Sequence, residues 1–268
     1  MKRLLLPLLW LAACAQAPDL PRPLSPPSGA DAPFATGASW YWQLNGDLHS
    51  DVQAQVYDID LFDTPATTIA ALRDRGIAVI CYFSAGSYEN WRPDADAFPA
   101  DALGEPLDGW EGERWLDIRD NALRPILEQR LDLAVSKGCD AVEPDNVDGW
   151  TNRTGFPLSA DDQLAFNRWL AQQAHARGLL VGLKNDLDQI GALEAAFDFA
   201  INEQCLAFDE CSAYAPFVAA GKAVFHAEYP GHPLNEKELQ AICTRPERTG
   251  LSTLIAPLNL DGRWWQYC

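Results

Sequence analysis

The residues of this sequence best suited to catalysis are carboxylates that follow short apolar segments. Two segments run into acid-rich motifs, Glu143-Pro144-Asp145-Asn146-Val147-Asp148 and Asn202-Glu203-Gln204-Cys205. Two carboxyl groups on either side of a bond can act as general acid and as nucleophile or base, which is the arrangement of glycosidases. Carboxylates crowded at one site also raise one another's pKa, as a general acid near neutral pH requires.

Other polar residues stand at the ends of further apolar segments. Our candidates for substrate binding are Asp58, Asp60, Tyr82, Glu143, Asp148, Lys184, Glu228 and Tyr229. The lysine is expected to pair with one carboxylate and keep it ionised while the partner carboxylate stays protonated. Aromatic rings near these positions could stack on sugars or pack within loops; they are Tyr82, Tyr88, Trp91, Trp110 and Trp150. Any one acid could be an ordinary solvated loop residue. The hypothesis of a carboxylate active site therefore requires that the ends of several segments lie together in the fold.

Other catalytic schemes lack their motifs in this sequence. It contains no G-x-S-x-G, no P-loop and no H-E-x-x-H, which are the usual signals of serine hydrolases, phosphate-loop enzymes and zincins. No C-x-x-C occurs, and the four histidines are scattered. We therefore expect neither a metal site nor a cofactor.

The elements that must position the acids repeat along the chain. A glycine followed by a short apolar run recurs at Gly76, Gly138, Gly178, Gly221 and Gly250. With segments 40–43, 56–59 and 199–202 these runs predict eight buried strands, mostly separated by amphipathic helices. Such alternation predicts a parallel sheet and a TIM-like (β/α)8 barrel, whose catalytic groups come from the C-terminal strand ends. An open doubly wound sheet is the alternative, but no G-x-G-x-x-G follows the first strand.

The interval from Gly76 to Gly138 is the longest between two predicted strands. It leaves room for a long loop near residues 85–114 and a short extra strand at 115–118. We therefore expect an insertion after the third strand. The remaining chain, residues 39–268, is predicted to form a single domain.

The composition restricts the class of partner. Asp and Glu number 38 against 20 Lys and Arg, which gives a net charge of -18, and 48% of the residues are hydrophobic. The apolar fraction is sufficient for a large core. The negative charge argues against nucleic-acid binding, which needs a basic face, and suits a cationic partner.

The first residues resemble an export signal. Lys2 and Arg3 precede the apolar run 4–13, which is too short to span a bilayer and ends in Leu11-Ala12-Ala13-Cys14. This ending resembles a bacterial lipobox, although an ordinary signal peptide with a buried cysteine is the alternative. We predict a signal peptide over 1–13, a lipidated Cys14 and a Pro-rich tether over 14–38, hence an envelope lipoprotein held to the membrane by its lipid alone.

Six cysteines remain after Cys14, and an even number in an exported chain favours disulfides. Cys205 and Cys211 can close a tight local loop, and Cys243 with Cys268 would fix the C-terminus. Cys81 and Cys139 are then left, either as a pair or as two buried thiols.

Seven motifs in order resemble glycoside hydrolase family 114 over residues 39–260. They include Trp40-Tyr41-Trp42-Gln43, Tyr57-Asp58-Ile59-Asp60, Cys81-Tyr82-Phe83-Ser84, the two acid-rich motifs, Gly182-Leu183-Lys184-Asn185 and Ala227-Glu228-Tyr229. The resemblance implies a TIM-barrel endo-alpha-1,4-polygalactosaminidase whose catalytic pair is Asp145 and Glu203. By analogy with other barrel glycosidases, the earlier strand is expected to supply the acid. We therefore expect Asp145 to be the acid and Glu203 the nucleophile or base.

The implied substrate agrees with the charge of the chain. Galactosamine units carry ammonium groups near neutral pH, which an acidic cleft would attract. Asp58, Asp60 and Asp148 are the candidates for contacting those amines. Two alternatives remain open: a noncatalytic carbohydrate-binding envelope lipoprotein with the same barrel, and a structural envelope protein whose acids are merely solvated.

Overall fold

A computed structural model of the protein describes residues 33–268. The predicted signal peptide, Cys14 and most of the tether lie outside the described residues. The strands are β1 (Trp40–Gln43), β2 (Val56–Asp60), β3 (Ala78–Ser84), β4 (Ser87–Glu89), β5 (Leu103–Pro106), β6 (Glu113–Leu116), β7 (Ala141–Asp145), β8 (Leu180–Lys184), β9 (Phe199–Glu203), β10 (Val224–Glu228), β11 (Ser252–Ile255) and β12 (Gln266–Tyr267). The α-helices are α1 (Ala66–Asp74), α2 (Arg124–Lys137), α3 (Ala160–Ala176), α4 (Ile190–Leu193), α5 (Ala215–Ala219) and α6 (Glu236–Cys243).

Eight parallel strands form one curled sheet in the order β1-β2-β3-β7-β8-β9-β10-β11, which confirms the predicted TIM-like barrel. The short β12 pairs antiparallel with the second edge of β11. Because a strand has only two edges, β12 occupies the place where β1 would pair in a fully closed barrel. A side chain bridges this seam, since the Trp40 indole N–H donates to the Ser252 carbonyl at 2.9 Å.

Two regions depart from the predicted pattern. Residues 44–55, between β1 and β2, form a loop where a helix would complete the repeat. The predicted long loop after β3 contains a three-stranded antiparallel sheet in the order β4-β6-β5, and its strand β6 begins two residues before the predicted extra strand. This small sheet stands over one side of the barrel mouth, which is the end of the barrel formed by the C-terminal ends of its strands.

The helices bury the apolar faces that the sequence predicts. In α2 the buried side chains include Ile126, Leu127, Leu131 and Ala134, which fall on one face at helical spacing. The helix ends at Gly138, whose φ of 86° is a left-handed conformation that glycine adopts without steric cost. The chain then turns directly into β7, one of the strands that carry the site.

The barrel interior changes from apolar to polar along the strands. Trp40, Phe199 and Phe225 pack together near the N-terminal ends. Gly182 makes room there, because a Cβ at this position would lie 2.3 Å from the Phe199 ring. The polar and charged interior side chains all lie nearer the C-terminal ends, so the strands present an apolar floor and a charged mouth.

The chain enters the domain at that floor. Phe34 stacks on Phe199 with ring centroids 4.9 Å apart, and Ala35 forms an antiparallel bridge with Lys222. These contacts correct the predicted boundary, because residues 34–38 belong to the packed domain and not to the tether. The sequence misses this because the segment carries no strand or helix pattern of its own.

Three disulfides pair all six predicted cysteines. Cys81–Cys139 joins β3 to the start of β7, Cys205–Cys211 closes the loop after β9, and Cys243–Cys268 ties α6 to the last residue. The alternative of two buried thiols is therefore excluded. Disulfides persist in oxidising compartments, which supports export. Within residues 33–268, no helix has the length and apolar character needed to cross a membrane.

Candidate active site

Lys184 organises the charged mouth. It is the last residue of β8, and β7 and β9 flank that strand, so the side chains that end all three strands point to one place. Its ammonium Nζ lies 2.8 Å from Glu143 Oε1, 3.2 Å from Asp145 Oδ1 and 3.3 Å from Glu203 Oε2. Burial alone would lower the pKa of Lys184, but its three carboxylate neighbours outweigh burial and hold that pKa well above its ordinary value. The lysine is a fixed positive charge between the two predicted catalytic acids.

Two phenols orient those acids. The Tyr82 hydroxyl donates to Asp145 Oδ2 at 2.9 Å, and the Tyr229 hydroxyl donates to Glu203 Oε1 at 2.6 Å. Burial, reinforced by the adjacent carboxylate, raises the pKa of both tyrosines well above the ordinary value, so both phenols keep their protons. The Trp42 ring completes the base of the site, with its centroid 4.9 Å from the Lys184 ammonium.

The shared lysine limits how far apart the two acids can be. With Lys184 Nζ 3.2 Å from one oxygen and 3.3 Å from the other, those two carboxylate oxygens lie no more than about 6.5 Å apart. Retaining glycosidases place their carboxyl groups about 5 to 5.5 Å apart, whereas inverting enzymes need about 6.5 to 9.5 Å to admit a water molecule. The distance between these two nearest oxygens is therefore compatible with the spacing of retaining enzymes.

A second pair of carboxyl groups lies beneath this pair and is closed to solvent. Both oxygens of Asp58 and Oε2 of Glu143 are buried without a hydrogen-bond donor. Burial, and then the adjacent Glu143 carboxylate, raises the pKa of Asp58 well above its usual value. A proton carried by Asp58 and donated to Glu143 pairs one oxygen of each residue, whereas two ionised carboxylates in contact would repel each other.

The mouth opens into a cavity of about 740 Å³, a size typical of ligand sites. The sequence-predicted residues on its wall are Tyr82, Asp145, Asp148, Lys184, Glu203 and Tyr229. The structure thus brings together residues from β3, β7, β8 and β9, from the loop after β7 and from the position just after β10. Asp58 and Glu143 lie below the cavity, fully buried, rather than on its wall.

Two predicted residues are directed elsewhere. Asp60 accepts a two-pronged bond from the buried Arg92, at 3.0 and 2.7 Å, together with backbone N–H groups of the turn that follows. Glu228 accepts the Leu206 N–H at 2.9 Å and contacts the ring of His226, also at 2.9 Å. The Asp60 carboxylate and Oε1 of Glu228 are engaged by these partners, and neither residue lines the cavity, so this geometry does not support the expectation that they contact substrate.

A model of Glycoside-hydrolase family GH114 matches residues 22–268. The chain belongs to glycoside hydrolase family GH114. This confirms the resemblance carried by the seven motifs, and the protein is a glycoside hydrolase. The GH114 chain is also 26% identical over 306 residues to an uncharacterised protein of Deinococcus radiodurans, covering 97% of this chain and 98% of that one.

Solved structures support the same assignment. The crystal structure of Aspergillus fumigatus Ega3 in complex with galactosamine is 43% identical, has a TM-score of 0.85, and matches 90% of this chain and 99% of that chain. The glycoside hydrolase domain of PelA from Pseudomonas aeruginosa is 15% identical with a TM-score of 0.65, over 84% of this chain and 96% of that one. The PelA similarity shows the shared fold alone.

The GH114 site includes carboxylates and aromatic rings that sequence reasoning missed. Glu113 and Trp115 of β6 line the cavity, although β6 belongs to the small sheet and not to the barrel. Burial raises the pKa of Glu113 to about 7, opposed by the Ser87 hydroxyl that donates to it at 2.9 Å. Burial, and then Asp145, raises the pKa of Asp148 to about 6. Nothing in the sequence around Glu113 indicates its position at the cavity, because that position depends on the pairing of β6 with β4 and β5.

The backbone reverses immediately after each central residue of the GH114 site. Asn146, Asn185 and Gln204, which follow Asp145, Lys184 and Glu203, have φ values of 60°, 47° and 65°. This left-handed conformation is uncommon outside glycine, although asparagine tolerates it best. The Asn185 carboxamide oxygen accepts the Glu203 N–H at 3.1 Å. These turns let the chain leave the sheet at three neighbouring strand ends while the side chains of Asp145, Lys184 and Glu203 point inward.

One grouping of possible metal ligands occurs among residues 33–268, formed by Cys205, Cys211 and His226. The two sulfur atoms are bonded to each other, so neither can act as a thiolate ligand. The His226 ring contacts Thr253 and Glu228. This grouping therefore does not form a metal centre in the oxidised protein.

Proposed function

We propose that the protein is an endo-acting hydrolase of alpha-1,4-linked galactosamine polymers. The observation that carries the proposal is the pair Asp145 and Glu203 on the cavity wall, held by the one ammonium of Lys184. The 43% identity to Ega3, whose structure contains galactosamine, supports an amino-sugar substrate. A cavity of about 740 Å³ is larger than one sugar needs, which favours cleavage within a chain.

The charge of the cavity supports a cationic substrate. Its carboxylates are Glu105, Asp108, Glu113, Asp145, Asp148, Glu203 and Glu210, whereas its cations are Lys184 and Arg153. The lysine is already paired with carboxylates. The remaining negative charge would attract ammonium groups, and the net charge of -18 would steer a polycation toward the molecule.

The contacts favour a reversal of the catalytic roles expected from sequence. Both oxygens of Asp145 face donors, namely the Tyr82 hydroxyl, the Asn146 N–H and the Lys184 ammonium. A carboxylate surrounded only by donors is arranged to act as a nucleophile. Both oxygens of Glu203 also face donors, but it has two partners, the Tyr229 hydroxyl and the Lys184 ammonium, against three for Asp145, and its side chain is 28% exposed against 19%. We therefore assign Asp145 as nucleophile and Glu203 as acid and base.

The reaction then takes two steps with net retention of configuration. Glu203 gives its proton to the leaving glycosidic oxygen as an Asp145 oxygen bonds to the anomeric carbon, which breaks the glycosidic bond. In the second step Glu203 removes a proton from water, and the water oxygen attacks the anomeric carbon and releases Asp145. The fixed charge of Lys184 stays between both acids throughout.

The test is hydrolysis of polygalactosamine by purified protein. Wild type and the exposed control Asp74→Asn should yield shorter oligomers, while Asp145→Asn and Glu203→Gln should each lose at least about 1000-fold in kcat/KM. Full activity in either carboxamide variant would refute the catalytic assignment. Binding without products, unchanged in Glu203→Gln, would support the noncatalytic carbohydrate-binding alternative.

The roles are tested by azide rescue with an activated aryl galactosaminide. The alanine variant of a nucleophile yields the azide of inverted configuration, whereas that of an acid and base yields the retained azide. We expect inversion with Asp145→Ala and retention with Glu203→Ala. The opposite pattern would restore the assignment expected from sequence.

We also propose that the protein is anchored to the cell envelope by a lipid on Cys14. The support is the sequence ending Leu11-Ala12-Ala13-Cys14 together with the disulfides, which indicate an oxidising compartment. Cys14→Ala should move the protein from the membrane fraction to the soluble fraction. An unchanged distribution would contradict lipid anchoring and leave the hydrolase proposal untouched.

A further inference from the structure

Exposed apolar side chains concentrate at the cavity. Among residues 33–268, six large hydrophobic side chains are exposed, and three of them line this cavity: Trp110 at 44%, Phe208 at 65% and Leu258 at 55%. The carboxylates described above separate them. Aromatic rings can bind a cation over their face and provide apolar area to a sugar ring, so an acidic cavity with exposed rings is suited to an amino sugar.

Phe208 is held rigidly on a short loop. The Cys205–Cys211 disulfide closes this loop, and Arg245 holds it from outside through the Leu206 carbonyl and the Asp209 carboxylate, both at 2.9 Å. Leu206 is buried, whereas Phe208, two residues later, is the most exposed of the large hydrophobic side chains in the described part of the chain. A restrained loop that holds a phenylalanine in solvent is preorganised for a ligand.

Trp110 is presented in a similar way by the small sheet. It lies in the tight connection between β5 and β6, where its N–H donates to the Leu107 carbonyl at 3.1 Å and its carbonyl accepts the Glu113 N–H at 3.2 Å. Gly109 and Gly112 have φ values of 86° and 91°, which allow the reversal. These backbone hydrogen bonds fix the turn, which leaves the indole 44% exposed at the cavity.

In strand order, the two rings come from either side of Asp145 and Lys184. The small sheet that carries Trp110 follows β3, and the loop that carries Phe208 follows β9. In the sheet order β7 and β8 lie between these strands, with Asp145 at the end of β7 and Lys184 at the end of β8. The tryptophan and the phenylalanine thus line the same cavity as Asp145, Lys184 and Glu203 and reach it from different strands.

We propose that Trp110 and Phe208 are the two outer sugar-binding platforms of the cavity, one on each side of the bond that is cleaved. This inference rests on the proposed function. A galactosamine polymer lies across the mouth with one sugar against each ring and its ammonium groups toward the intervening carboxylates. The two platforms make long chains better substrates than chains too short to reach both rings.

The experiment compares kcat/KM of the disulfide-bonded protein on long polygalactosamine and on the shortest oligomer that it cleaves. We expect Trp110→Ala and Phe208→Ala each to lose about tenfold on the polymer, and less than about twofold on the short oligomer. Phe208→Tyr and Trp110→Phe should retain most of the activity. The matched control is Trp91→Ala, because Trp91 is also half-exposed but lies outside the cavity.

The outcomes separate this inference from the proposed function. Polymer cleavage by wild type, with both alanine variants equal to Trp91→Ala, would overturn the platforms while the hydrolase function stands. Equal losses on polymer and short oligomer would also overturn them, because they would indicate damage to the catalytic centre. A wild-type protein that leaves the polymer intact would instead refute the proposed function.

Discussion

Two clusters of charged residues lie near the mouth of the barrel, and they differ in the number of cations relative to carboxyl groups. The mouth cluster consists of Lys184 with Asp58, Glu143, Asp145 and Glu203. The flank cluster, beside the small sheet, consists of Arg92 and Arg130 with Asp60, Glu89 and Asp94. Within residues 33–268, one cation faces four carboxyl groups in the first cluster and two cations face three in the second.

The geometry differs as much as the count. Arg130 bonds both oxygens of Asp94, at 2.8 and 2.9 Å, and also donates to the Ser84 carbonyl at 2.6 Å. Such forked bonds hold both partners in one position. The ammonium of Lys184 is a point charge shared by several acids, one of which must keep a proton. The flank cluster is therefore suited to stabilising the fold, whereas the mouth cluster is suited to proton transfer.

The sharpest way to break this comparison is Lys184→Met. Removing the one cation leaves Glu143, Asp145 and Glu203 facing one another, so we expect kcat/KM on polygalactosamine to fall about 1000-fold. Initial rates measure this. The matched control is Lys222→Met, whose ammonium pairs with Glu194 at the opposite end of the barrel, and it should stay within about threefold of wild type. Activity within tenfold of wild type in Lys184→Met would contradict the assigned role.

The corresponding change in the flank cluster is Arg130→Met. It removes the forked partner of the half-buried Asp94 and leaves the buried Glu89 with Arg92 alone, so we expect a cost of about 3 kcal/mol in free energy of unfolding, the lower end for a broken buried pair. The folded enzyme should keep kcat/KM within about threefold. Urea unfolding at neutral pH measures the loss, and Arg119→Met, which breaks an exposed pair with Asp117, should cost less than about 1 kcal/mol. Loss of activity without loss of stability would mean that the two clusters do not differ as described.

A smaller effect concerns pH. Burial, and then Asp145, raises the pKa of Asp148 to about 6, so its carboxylate becomes ionised as pH rises through that value. We expect KM for the polymer to fall over the same interval, because only the ionised form attracts ammonium groups. Asp148→Asn should abolish this fall and raise KM about fivefold at neutral pH.

Asp60→Asn is the matched control for that measurement. Asp60 belongs to the flank cluster, so this change should preserve the pH dependence of KM while lowering stability. An unchanged KM profile in Asp148→Asn, or a profile lost in Asp60→Asn, would show that the amine-binding carboxylate lies elsewhere.

The same sequence pattern predicts the barrel and the position of its catalytic mouth. Parallel strands buried on both faces give continuous apolar runs, and the residue that ends each run must lie at the mouth. This rule includes Asp145, Lys184 and Glu203 among the residues expected at the mouth, whereas the choice of Asp145 and Glu203 as the pair comes from the family resemblance. The spacing of Cys205 and Cys211 likewise fits their disulfide.

The rest depends on contacts between distant residues. Asp60 ends its strand like the other candidates, but Arg92, a residue of the insertion, takes its carboxylate away from the mouth. Glu113 reaches the cavity because β6 pairs with β4 and β5, and nothing in the local sequence fixes that pairing. Phe34 lies in a proline-rich stretch whose packing on Phe199 has no periodic signal.

The position of Phe34 also determines how the molecule can be approached. The polypeptide enters beneath Phe199, the first residue of β9, whereas Glu203 at the other end of that strand lies at the mouth. Pro33, the first described residue, therefore lies near the end of the barrel opposite the mouth. The polymer that we propose as substrate can therefore reach the cavity without passing the point where the chain enters the domain.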